Sequence, residues 1–269
     1  MHEQLENIIN NQVLIIDGSM NGVSGTSINR DLYNKWKGLK SISSERFMRF
    51  LQEAQNTLDL VCSEKAFVIP EVALEVEEHL RIINGQYEYF SVPNRRSNDP
   101  DEEEQDNRVY LLKQCCDKLH QVAKKMNSIS AKSKEITNSL SFGLFLQIAS
   151  NNSTKMSTRD TERNMKNYRP SPMGIHLNTD CKILASAFCI AYENPVLILS
   201  RDNRLTLLAK TLGNYLHSDL CKGRYKIKCV PEKTIEVYNP NFTEEENPLI
   251  VYQPKPSIKK VEQKIELTR

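Results

Sequence analysis

The sequence predicts an α/β fold with a mainly parallel central sheet covered by helices on both faces. Two observations predict it. Short runs rich in Val and Ile, each bounded by polar or turn-forming residues, recur along the chain and read as strands. Between them lie stretches whose apolar residues fall on one helical stripe.

The first strand is Val13–Asp17, "VLIID", four apolar residues ending on a carboxylate. The next segment, "SSERFMRFLQEAQNTLDLV", places Phe47, Phe50, Leu51, Ala54, Leu58 and Val61 on one stripe behind a Ser cap, with Glu45 in the first turn. A second strand follows at Ala66–Ile69, so strand, helix and strand require a right-handed crossover in a parallel sheet. Pro70 then opens a helix through Ile83, at the position where proline is tolerated. Later come a helix over Thr179–Tyr192, a strand at Pro195–Ser200, the helix "NRLTLLAKTLGNYL" and a fourth strand at Tyr225–Val230.

Residues 84–175 break this rhythm and read as a helical insertion or cap, with helical patterns at Val109–Met126 and Glu135–Ala149. The expected organisation is one domain over residues 1–238, carrying that insertion, and an extended arm over 239–269.

With 39% hydrophobic and 26% charged residues the composition is that of an ordinary globular protein, and no apolar run is long enough to span a bilayer. The first residues, "MHEQLENIINNQ", lack the basic and apolar stretches of a secretory signal, so a cytoplasmic location is expected. Seven cysteines without a CxxC pair fit reduced, mostly buried thiols better than disulfides or zinc. The histidines show no paired ligand spacing, and "DGSMNG" lacks the glycine spacing of a dinucleotide or phosphate loop.

A net charge of +2 does not mark the whole molecule for a polyanion, so any nucleic-acid surface must be local. The segment holding Lys155, Arg159, Arg163, Lys166, Tyr168 and Arg169 is the leading candidate, with Tyr168 offering a stacking surface. Arg201, Arg204, Lys222 and Arg224 compete with it, and a solvated loop is the plain alternative. The acidic run Asp99–Asp106 reads as a solvated loop.

In an open parallel sheet the crevice lies outside the carboxyl ends of the strands, where Asp17 and Asp202 both arrive. Asp202 is equally suited to cap the following helix. On the helix after Pro70, Val72, Val76, Leu80 and Ile83 form the buried stripe, and Glu75 lies about 60° from Val72 while Glu71, Glu77 and Glu78 lie about 100° or more away. Asp180 precedes Ile183 and Leu184 on their own face, with a cap again as the alternative. Four converging carboxylates repel one another unless protons or cations neutralise them, and an all-oxygen set points to Mg²⁺ or Mn²⁺.

These segments, "VLIIDGS", "VIPEVALEVEEHL", "NTDCKILASAF" and "VLILSRDNRL", resemble the successive acidic motifs of the PIN-domain nucleases over residues 10–83 and 178–230. The resemblance implies a three-layer α/β/α sandwich and metal-dependent hydrolysis of phosphodiester bonds, usually in RNA. It implies that Asp17, Glu75, Asp180 and Asp202 hold one or two Mg²⁺ or Mn²⁺ ions, which activate water for in-line attack on phosphorus. Ser19 and Ser200 match the family's hydroxyl positions, and Asn203 stands where a further acid often follows Asp202. An endoribonuclease is therefore the expected function. A PIN-like scaffold that binds RNA or protein without cutting, and an NYN-type or structure-specific nuclease, are the alternatives; an inhibitory or scaffold partner and a homodimer are compatible with all three. A phosphatase of the haloacid-dehalogenase type is disfavoured, because Ser19 stands where that family needs a second aspartate.

Overall fold

Strand β1 (Val13–Ile16) is apolar throughout because it meets helices on both faces: Leu14, Ile15 and Ile16 have no exposed surface. The computed structural model describes residues 11–22, 42–92, 102–164, 176–218 and 231–254. After β1 come a short 3₁₀ turn (Gly18–Asn21), α1 (Ser44–Val61), β2 (Ala66–Phe67) and α2 (Pro70–Ser91). The inserted stretch supplies α3 (Glu102–Ser130), a short α4 (Lys134–Thr137) and α5 (Leu140–Asn164). The chain then forms α6 (His176–Ile190), β3 (Val196–Leu199), α7 (Asn203–Leu216), β4 (Ile235–Tyr238) and β5 (Leu249–Tyr252).

Among the described residues the sheet has five strands in the order β2-β1-β3-β4-β5, parallel except for β5. The α/β class and the mainly parallel sheet agree with the sequence expectation, and the arrangement is compatible with a three-layer sandwich. Helix α3 packs against both α1 and α2, and α5 packs against both α6 and α7. The inserted helices thus join the helical groups rather than standing apart as a cap. Leu112, Leu119, Val122, Met126, Phe145 and Ile148 are fully buried in the same core as the strands. The Phe145 ring lies 5.4 Å from Phe188 of α6, which in turn lies 5.7 Å from Tyr252 of β5.

Several boundaries differ from expectation. Helix α2 runs to Ser91 rather than Ile83: α3 packs against it, and Tyr87 and Phe90 of its later turns are partly buried against the core. The expected strand Tyr225–Val230 lies outside the described residues; the fourth strand here is Ile235–Tyr238, whose Ile235 and Val237 are buried while Glu236 and Tyr238 are half-buried. Within the expected arm, Leu249–Tyr252 pairs antiparallel with β4 as the edge strand. The rest of that arm, from residue 255, lies outside the described residues. Among the described residues no helix is long and apolar enough to cross a membrane. Cys62, Cys115, Cys116, Cys181 and Cys189 are free thiols, and Cys62 is the exposed one among them.

Strand β5 lies directly against α7. A Cβ built on Gly213 would stand 1.8 Å from the Val251 carbonyl oxygen. That neighbour is backbone and cannot swing aside. Alanine would gain about 1 kcal/mol of helix propensity over glycine, but forcing β5 off the helix costs about 1–3 kcal/mol or more. Gly213→Ala should therefore destabilise the protein despite improving the helix, with a lowered midpoint in urea unfolding. A midpoint at or above wild type would contradict this packing.

Candidate functional site

The register of the sheet determines which residues meet at its carboxyl edge. Ile16 pairs with Leu199, and Leu199 with Tyr238, so the residues one step further on, Asp17, Ser200 and Asn239, stand in a row. Backbone bonds carry the ladder into that row, from Asp17 N–H to Leu199 O at 3.0 Å and from Ser200 N–H to Tyr238 O at 3.1 Å. The chain leaves β1 toward β2 on one side and β3 toward β4 on the other, so strand order reverses between β1 and β3. Open α/β sheets place ligand crevices at such a reversal.

Asp17 sits at that point, 6% exposed. Its Oδ2 accepts from Ser200 Oγ at 2.7 Å and from the Ser19 hydroxyl. Each hydroxyl is also an acceptor, Ser200 Oγ from Asp202 N–H and Ser19 Oγ from Arg201 N–H, both at 2.9 Å. A serine used in both directions has its rotor fixed, and so fixes the carboxylate it serves. Asp202 is the cap that its position allows, its Oδ1 accepting from Arg204 N–H at 2.7 Å. Glu75, on the second turn of α2, rests against Gly18: a Cβ there would lie 2.9 Å from Glu75 Oε2. Glycine at 18 lets the carboxylate approach the loop that follows Asp17. Asp180 lies inside α6, which begins at His176 rather than Thr179, so the cap reading does not apply to it.

The four acids act on one another electrostatically. Burial raises the Asp17 carboxyl above its ordinary value against the lowering bonds from Ser19 and Ser200, and Asp202 raises it further. Burial, followed by the charges of Asp17 and Asp202, pushes Glu75 up to about 7. Asp180 is pushed up to about 8 by burial and then by Asp17 and Asp202, with Arg204 opposing. The fold thus brings the acids singled out from the sequence within one another's electrostatic reach, and the charge of Arg204, a candidate for the nucleic-acid surface, reaches Asp180. Among the described residues, no three acidic, histidine or cysteine side chains are gathered tightly enough to hold one ion directly.

Other candidates fall differently. Arg201 was expected at the nucleic-acid surface; its guanidinium is instead turned inward onto Glu53, with a side chain 9% exposed. Asn203 is exposed, and its Oδ1 accepts from Asn239 Nδ2 at 3.0 Å. Lys155, Arg159 and Arg163 fall on the last turns of α5, where the side chains lie outside the described residues; Lys166, Tyr168, Arg169, Lys222 and Arg224 lie outside them entirely.

Sequence reasoning missed four contributors. Fully buried Asn239 donates to Asn203 and to Thr206 Oγ1 at 3.3 Å, tying β4 to the first turn of α7. Asn21 Nδ2 lies 3.0 Å from His79 Nδ1, one helical turn beyond Glu75. Lys182 of α6 pairs with Glu71 of α2, joining the helices that carry Asp180 and Glu75. Glu53 carried a readable signal, since it lies on the Phe50–Ala54–Thr57 face of α1 and the wheel argument that selects Glu75 selects it too.

Comparison of the chain with protein-family models, curated proteins and solved structures found no match. The class of site therefore rests on the fold and its acids: a carboxylate cluster at the switch point of an α/β sheet.

Acids whose folded values are raised hold their protons more tightly in the folded state, so their stability contribution is complete below the ordinary carboxylate range and is lost as pH rises. For Glu75 and Asp180 the loss should run from ordinary values of 4.5 and 3.8 up through about 7 and about 8. Thermal melts in a chelator should show a midpoint roughly 5 °C or more lower at about pH 9 than at about pH 5, and added Mn²⁺ should recover much of the loss at the higher pH. A midpoint independent of pH over that interval would count against the raised values.

Proposed function

We propose that this protein is a metal-dependent ribonuclease of the PIN-like type, cutting phosphodiester bonds with Mg²⁺ or Mn²⁺ at Asp17, Glu75, Asp180 and Asp202. One observation carries the reading: carboxylates from four separate segments share the switch point of a parallel sheet, and three of them have pKa values raised partly by the others' charges. Such repulsion is costly and is relieved by a cation. The donors are carboxylate and hydroxyl oxygens, the chemistry of hard divalent ions. Mg²⁺ keeps several waters and is held by few direct protein ligands, so this reading does not require three of the described side chains on one ion.

A bound divalent ion would supply positive charge for a phosphodiester and lower the pKa of a water. The chain's own part is positional. Ser19 and Ser200 hold Asp17 in one orientation, Gly18 admits Glu75, and the capping bond fixes Asp202 at the mouth of α7. Arg204, whose charge reaches Asp180, is the described cation that meets a phosphate on this reading. The basic run from Lys155 to Arg169 supplies further backbone contacts on this reading.

A second reading, a PIN-like scaffold that binds RNA or protein without cutting, draws on Asn203. It stands where a further acid is frequent in the family, and its side chain is engaged with Asn239. Cleavage assays separate the two. Single-stranded RNA should be cut in Mn²⁺ and spared in chelator, and Asp17→Asn or Asp180→Asn should lower the rate about a hundredfold or more, the scale of losing a group that stabilises transition-state charge. Wild-type rates in either variant would remove the assignment, and RNA binding without cleavage would favour the scaffold. Reversing the charges of Lys155, Arg159 and Arg163 should weaken RNA binding and flatten its salt dependence; unchanged binding would take that segment out of the RNA path.

A further inference from the structure

Arg201 separates Ser200 from Asp202, the two residues that bring the end of β3 to the acidic edge, and it is held at three points. Its backbone N–H donates to Ser19 Oγ at 2.9 Å, and its carbonyl accepts from Asn241 Nδ2 at 2.9 Å. Its Nη2 lies 3.2 Å from Glu53 Oε1 on α1, and both side chains are 9% exposed. The same Glu53 oxygen receives Arg49 Nε at 3.1 Å.

A buried ion pair is weak evidence for stability, since apolar residues of similar volume often replace one without loss. What this pair holds is more informative. One turn along α1 from Glu53, Thr57 Oγ1 donates to Met20 O at 2.5 Å. One face of α1 therefore grips both the turn after Asp17, through Thr57, and the loop between Ser200 and Asp202, through Glu53. Those two loops meet each other where Arg201 N–H reaches Ser19, the serine that orients Asp17.

We propose that Glu53 and Arg201 are positioning residues for the acidic site: their ion pair holds the Ser200–Asp202 loop against Ser19 and so sets the affinity of the carboxylates for a divalent cation. The inference rests on the metal-dependent reading above. It has two parts that act in the same direction. With the pair intact, the loop presents Ser200 Oγ and Arg201 N–H in the arrangement that fixes Asp17. With Glu53 neutralised, the guanidinium becomes an uncompensated buried cation one residue from Asp202, free to compete for the acids.

Direct Mn²⁺ titration of the full chain tests this, with a melting curve for each variant. Glu53→Gln keeps the side-chain shape and removes the charge; it should weaken Mn²⁺ binding about 10- to 100-fold, the range seen when partners behind metal ligands are lost. The double variant Glu53→Met with Arg201→Met removes both charges and replaces the pair by apolar volume. It should melt near wild type and still bind Mn²⁺ more weakly, an outcome that a purely structural pair would not produce. Wild-type Mn²⁺ affinity in the double variant, or in a folded Glu53→Gln protein, would overturn the proposal; if Glu53→Gln does not fold, the double variant decides alone. No Mn²⁺ uptake by the wild type would instead overturn the metal-dependent reading, and this inference with it.

Discussion

The polar edge of this structure depends on carboxylates taken out of water, whose burial raises them first and whose neighbours' charges raise them further. An isolated buried carboxylate shifts toward its neutral form, and several together do so more strongly. Asp17 remains the partner of two hydroxyl donors in spite of this, and those donors are held in turn by backbone N–H groups of the loop after β3. The polar edge is thus a chain of dependence in which each group fixes the next. Removing any member leaves a buried polar atom to be satisfied again.

The sheet register is what allows such a chain to form. Parallel strands of equal length end level, so the first residue past β1, β3 and β4 forms one row, with Asp17, Ser200 and Asn239 as its members. The row itself is buried, and the reversal of strand order beside it is where open α/β sheets place a crevice. Helices α2 and α6 reach the same edge and carry acids on the sides nearest the core. The inserted helices add buried surface without entering the row, which explains how a long interruption is accommodated.

Much of this was legible in the sequence, for reasons that differ by element. Strands β1 and β3 are buried on both faces, and such strands read as unbroken apolar runs. Glu75 could be separated from Glu77 and Glu78 because helical periodicity fixes direction relative to Val72 and Val76. The fourth strand was less legible: "YKIKCV" and "TIEVY" both alternate, and local periodicity alone cannot choose which one pairs with β3. Asn239 was lost with that choice. The Glu53–Arg201 pair joins residues far apart in sequence, and nothing local to Arg201 distinguishes an arginine turned inward from one turned toward a phosphate. The metal was read from the all-oxygen donor set, and the substrate through resemblance.

The close seating of Val251 on Gly213 has a consequence for the order of assembly. Helix α7 is clasped by the last described strand, Ser200 bonds Asp17 across 183 positions, Arg201 bonds Ser19 across 182, and Asn241 holds Arg201 across 40. A chain emerging from the ribosome exposes Asp17 before the loop after β3 that orients it has been made. Completion of the acidic edge therefore waits on residues far downstream of its first acid. A truncated product lacking β5 would carry all four acids and still leave α7 without its clasp.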